Sequence, residues 1–203
     1  LIYAFIGFFT VVLHLGLDTS LLRHYKPANN QDRIKFVTNA YIPILILNII
    51  FLGFGIVIYK IFSIYILGNQ NPIMWMMVVG ILFADVLWAI PMIILRADNR
   101  PIYFISCNLL NVISNIIFIY FFVICYQWEV FGVILSNFLS STLLLLSTLH
   151  IVWSRISLSQ INLTIFKQLF SFGSPFIFAG IFSMIIELSD RYIIRFLLDF
   201  DSL

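Results

Sequence analysis

Charge is what this chain has least of. Asp, Glu, Lys and Arg supply 10% of its 203 residues while hydrophobic types supply 62%, which leaves too little polar surface for a water-soluble domain. The class is therefore a polytopic membrane protein. Catalytic signatures are absent as well: there is no His-Glu-x-x-His, no Gly-rich phosphate loop and no nucleophile elbow. With connections too short for a polar active-site loop at the membrane face, the chain reads as a non-enzyme with no metal and no cofactor. A net charge of +2 is too small for a nucleic-acid partner. Cysteine is scarce too, and Cys107 and Cys125 fall on one expected helix about 27 Å apart, beyond disulfide reach. Uncharged runs recur along the whole chain, which excludes a secreted protein with one signal sequence. Because the sequence opens on Leu1 inside an apolar run, it is read as a piece of a longer protein.

What is present is a series of six apolar stretches, each near the roughly 20 residues that a bilayer requires. They run from Leu1 to Leu22, Phe36 to Tyr59, Ile73 to Leu95, Ile102 to Tyr126, Val130 to Trp153 and Ser174 to Leu198. The expected fold is an all-α polytopic transmembrane helix bundle of six helices. Arg23, Lys26, Arg33 and Lys35 follow the first stretch, Arg96 and Arg100 the third, and Arg155 and Lys167 the fifth. Basic residues collect in short cytoplasmic loops, so these three connections face the cytoplasm and the first helix runs from outside to inside. The alternate connections carry only Lys60 and no basic residue at all. The stretch 154–172 carries Ile161, Ile165, Phe166, Leu169 and Phe170 at helical spacing, which predicts a short amphipathic helix on the inner surface. It divides a transmembrane lobe, 1–153, from the first helix of a second lobe, 173–203.

Polar residues inside the apolar stretches are the candidate functional set. Tyr3, Gly7, Thr10, His14 and Asp18 recur at three- and four-residue steps and so fall on one stripe of the first helix. Asp85, Trp88, Met92 and Arg96 share a face of the third, where Pro91 predicts a kink. Asn108, Asn111 and Asn115 form an amide row on the fourth helix, and Ser136, Asn137, Ser140 and Ser141 cluster on the fifth. Gly180, Ser183, Glu187, Asp190 and Arg191 line the sixth. A carboxylate near a helix centre costs about 2.5–3.5 kcal/mol on insertion scales, so Asp85 and Glu187 point to function. The Ser and Asn rows fit interhelical packing equally well. His14, Asp18, Asp85 and Glu187 are the ionisable members of this set able to take up a proton or a sodium ion.

Three motifs carry a family resemblance: GLDTSLLRHY (Gly16–Tyr25), ILRADNRPIYF (Ile94–Phe104) and LFSFGSPFIFAGIFSMIIELSDRYII (Leu169–Ile194). In order and spacing they resemble the polysaccharide-biosynthesis flippases. These are Wzx-like translocases of lipid-linked oligosaccharide within the multidrug/oligosaccharidyl-lipid/polysaccharide exporter superfamily. The resemblance implies two six-helix lobes around a central cavity that opens alternately inward and outward, of which this chain holds the second to seventh helices. It implies a polyprenyl-pyrophosphate-linked glycan as substrate, the bilayer as medium, and a polysaccharide polymerase and glycosyltransferases as partners in the bacterial or archaeal inner membrane. Arg23, Arg96, Asp190 and Arg191 match its motif ions and join Asp85, Glu187 and the Asn108, Asn111 and Asn115 row as the candidate cavity lining. A cation-coupled multidrug or small-molecule exporter, a membrane-embedded polymerase or ligase, and a purely structural partner remain the alternatives.

Overall fold

The computed structural model describes residues 2–25, 29–59 and 72–197, with backbone only at 187, 188 and 190–197. Helices α1 (Ile2–His14), α2 (Leu17–Tyr25), α3 (Asn30–Val57), α4 (Pro72–Ala97), α5 (Pro101–Ile119), α6 (Glu129–Trp153) and α7 (Leu163–Leu197) follow one another, with no strand among the described residues. Five of them are long and apolar enough to cross a membrane, and α1 with α2 makes a sixth span if the bent pair counts as one. The expected all-α bundle is therefore observed. Lys26, Lys60 and residues 61–71 lie outside the described residues, as do the side chains of Glu187, Asp190, Arg191 and Arg195.

At the centre stands α4, which packs against α1, α2, α3, α5 and α6. Its sequence explains the position, since apolar residues surround it on all sides and Trp75, Val78, Leu82, Val86, Ile90 and Ile94 are fully buried. A helix that is apolar all round belongs inside a bundle. Pro91 sits within α4 without ending it. Trp75 Nε1 donates to the carbonyl of Gly55 over 2.7 Å, which spends its one polar atom on α3 and sets the antiparallel register of the two helices.

One expected helix is broken. Leu15 and Gly16 both adopt left-handed φ values, 53° and 64°, and α1 and α2 meet at an angle of 47°. The cause is tertiary. A Cβ on Gly16 would overlap the carbonyl oxygen of Gly173, and one on Gly173 would come within 2.5 Å of the Gly16 oxygen, so the break is where the α7 backbone crosses. Further contacts continue this antiparallel seam, with Gly180 against Val11 and Gly7 against Met184. Small residues let membrane helices approach closely where no hydrophobic effect drives them together.

The short surface helix expected before Ser174 is instead the opening of α7, which continues from Leu163 through Pro175 without interruption. Leu169 is fully buried, and Ile165 and Phe166 pack on the core, while Ile161 and Phe170 stay exposed, so the bundle takes up part of the apolar face read as membrane-facing. Asn162 Oδ1 accepts the amide of Thr164 over 2.8 Å and caps the helix start. The preceding connection is pinned to α3: Thr38 Oγ1 accepts from Ser157 N at 3.1 Å, Asn39 Nδ2 donates to Gln160 O at 2.9 Å, and Asn39 Oδ1 accepts from Asn162 N at 2.8 Å.

The three basic connections gather at one end. Asp98, in the turn between α4 and α5, accepts from Tyr25 at 3.0 Å and pairs with Arg33 at 3.4 Å and Arg155 at 2.7 Å. Its side chain is only 10% exposed. The turn is thereby tied to the end of α2, the start of α3 and the segment after α6.

Candidate functional site

The break between α1 and α2 builds the first half of the site. It leaves His14 in the last turn of α1 and Asp18 in the first turn of α2. A helix end carries partial negative charge at its C-terminus and positive charge at its N-terminus. His14 thus stands at the negative end of the α1 dipole and Asp18 at the positive end of the α2 dipole. This corrects the single stripe expected from Tyr3 to Asp18: the bend interrupts it between His14 and Asp18, and Tyr3 is 54% exposed.

The second half comes from α4 and α6. Asp85 is partly exposed in the middle of the buried α4, and its Oδ1 accepts from Trp88 Nε1 over 3.0 Å. Ser141 of α6, whose hydroxyl donates to Asn137 Oδ1 at 3.4 Å, stands beside the carboxylate, and His14 faces it from α1. Helices α1 and α4 run side by side in the same direction, with Phe5 packed on Trp75 at 5.5 Å between ring centroids. Nine residues further along each helix stand His14 and Ala84, which brings the imidazole level with Asp85. His14 Nδ1 is engaged with the Thr10 carbonyl at 2.7 Å, whereas the buried Nε2 has no hydrogen-bond partner among the described residues. Asn48, on α3, likewise has a buried Oδ1 without a partner there.

A carboxylate, an imidazole with an open nitrogen, an indole donor and a hydroxyl thus converge from three helices at mid-bundle. Such a group can take up a proton, or offer oxygen ligands to a small cation. Among the described residues there is no cluster of three or more His, Cys, Asp or Glu able to hold a metal.

Other sequence candidates take separate places. Asn115 Nδ2 donates to Ser140 Oγ at 3.0 Å and joins α5 to α6. Asn108 donates back to the Phe104 carbonyl of its own helix at 2.9 Å, and the Asn111 carbonyl accepts from Ser114 at 3.0 Å. Arg23 is exposed and lies over the Phe172 ring at 4.3 Å, while Arg96 covers Phe104 at 5.4 Å. Both arginines stand at the basic end, away from Asp85. Asp18 accepts from its neighbour Thr19 at 3.5 Å. Tyr25, Asp98 and Arg155 are the residues that sequence reasoning missed. Two of them lie inside the family-like motifs, and a lone acid between arginines in a basic loop was the available signal.

Compared with known proteins, the chain matches the family model described as polysaccharide biosynthesis protein over residues 1–203. No curated protein and no solved structure matches it.

Proposed function

The chain belongs to the polysaccharide biosynthesis protein family, and from that premise we propose that it translocates a polyprenyl-pyrophosphate-linked oligosaccharide to the outer leaflet by alternating access. It is a multi-pass membrane protein of the Wzx-like flippase type. The proposed setting is the inner membrane, in the assembly of O-antigen, capsule or exopolysaccharide. The headgroup travels through the polar interior while the polyprenyl tail stays in lipid. The observation that carries this reading is the mid-bundle group of Asp85, Trp88, Ser141 and His14 beside a broken helix. Intramembrane ions are costly and mark transport pathways, and discontinuous helices line substrate and ion sites in secondary transporters.

In this mechanism, a proton or sodium ion taken up at Asp85 neutralises its charge. A neutral acid is cheaper to enclose in an apolar bundle than a carboxylate, so uptake favours the state in which the helices close around it. The bend at Leu15 and Gly16 is the joint of this mechanism, with His14 on one side and Asp18 on the other.

The test uses the full-length gene in a bacterial strain that lacks its own glycan flippase and makes the cognate glycan. Surface polysaccharide is scored for wild type, Asp85→Ala and Arg23→Ala at equal membrane abundance. Restoration by wild type and loss with Asp85→Ala support the proposal. Failure of wild type with export of organic cations instead would replace it with the drug-exporter reading.

A further inference from the structure

A polar cavity of about 390 Å³ opens at the basic end and is lined by Asn30, Arg33, Asp98, Asn99, Arg100 and Arg155. We propose that it binds the phosphate group of an anionic ligand, supplied either by an anionic phospholipid headgroup or by free inorganic phosphate. The lining holds three guanidinium groups and one carboxylate, so cations outnumber anions. Asp98 offsets one of the three positive charges and leaves two in excess, while it holds Arg33 at 3.4 Å and Arg155 at 2.7 Å on one wall. Arg155 Nη1 is buried and has no hydrogen-bond partner among the described residues. A fixed guanidinium fork matches phosphate oxygens in geometry as well as charge.

The backbone adds to this field. Helices α3 and α5 both begin at the cavity, and their N-cap residues, Asn29 and Arg100, make no side-chain capping hydrogen bond. Among the described residues neither N-cap side chain takes up a first-turn amide of its helix, although α5 opens on Pro101, which has no N–H to offer. The cavity lies where membrane helices end, which is headgroup depth, and basic pockets at that depth on the cytoplasmic side recognise anionic lipids. None of this depends on which molecule the mid-bundle site transports.

The experiment measures binding, so its outcome is separate from that of the complementation test. Full-length protein is placed in phosphatidylcholine nanodiscs, and thermal unfolding is followed in two arms. One adds inorganic phosphate, and the other replaces part of the lipid with phosphatidylglycerol at constant ionic strength. Saturable stabilisation is expected in at least one arm. Saturation by phosphate assigns a free anion, and saturation by phosphatidylglycerol alone assigns a headgroup. Arg100 is exposed and makes no side-chain hydrogen bond or ion pair among the described residues, so Arg100→Gln leaves the fold intact and weakens the response about fivefold. Arg100→Lys retains most of it. Lys167→Gln, an exposed cation of α7 outside the cavity, serves as control and changes it less than twofold. The proposal is overturned if neither arm saturates, or if Arg100→Gln and Lys167→Gln have equal effects.

Discussion

Tyr25 donates its phenolic hydrogen to Oδ1 of Asp98 over 3.0 Å, joining the end of one sequence motif to the middle of another 73 residues away. Both groups are largely removed from water, with Tyr25 1% exposed and the Asp98 side chain 10%. This bond and the two arginine pairs make the basic end of α2, α3, α4 and α6 a single unit.

Loss of that unit is measurable as stability. Asp98→Ala removes the acceptor for Tyr25 together with both ion pairs, and should cost about 2 kcal/mol or more, while Tyr25→Phe should cost about 1 kcal/mol. Unfolding in detergent of the single and double variants gives the coupling. Strictly additive effects would show that the two residues do not act together.

The helix break depends on two glycines. Gly16→Ala and Gly173→Ala each drive a methyl into the other's backbone, and Gly16 also carries a φ of 64°. Each should destabilise by at least about 2 kcal/mol. Gly53, within α3, has open space on its side-chain face, with nothing within 4 Å of where a Cβ would stand, so Gly53→Ala should be neutral or stabilise by up to about 1 kcal/mol. Comparable losses at all three positions would remove the crossing as the explanation.

Charge and shape at Asp85 can be separated. Asp85→Asn keeps an oxygen acceptor for Trp88 Nε1 and nearly the same volume, so the bundle should fold with wild-type stability. Translocation should nonetheless fall at least about tenfold if the ionisable group couples transport. Retained polysaccharide export with Asp85→Asn, and its loss only with a large apolar residue, would make the site one of packing.

The amide row should divide in the unfolding assay. Asn115→Ala breaks the bond to Ser140 and should cost about 0.6 kcal/mol, with no further loss when Ser140→Ala is added. Asn108→Ala removes only a bond within its own helix and should leave stability unchanged. Equal losses at the two positions would contradict the arrangement of α5 on α6.

Several features were legible from residue order alone. Scarce charge and apolar runs of bilayer length require membrane helices, because unpaired backbone amides are not tolerated in lipid. Asp85 stood out because an acid in such a run is expensive wherever it points. The three arginine-bearing connections were expected on one side because basic residues collect in cytoplasmic loops, and the fold brings all three together around Asp98. Tertiary structure decided the rest. Helical periodicity carried a continuous stripe through His14 and Asp18; Gly16 permits a left-handed turn but Leu15 does not favour one, and the close crossing of the α7 backbone at Gly173 is what marks the bend there. The amphipathic pattern around Leu169 was correct as a pattern, yet it could not distinguish a membrane surface from the side of a bundle as the apolar partner. Whether an arginine is free or clamped was likewise hidden, because Arg33 and Arg155 are positioned by Asp98, an acid distant from both in the chain and close only once the helices have packed.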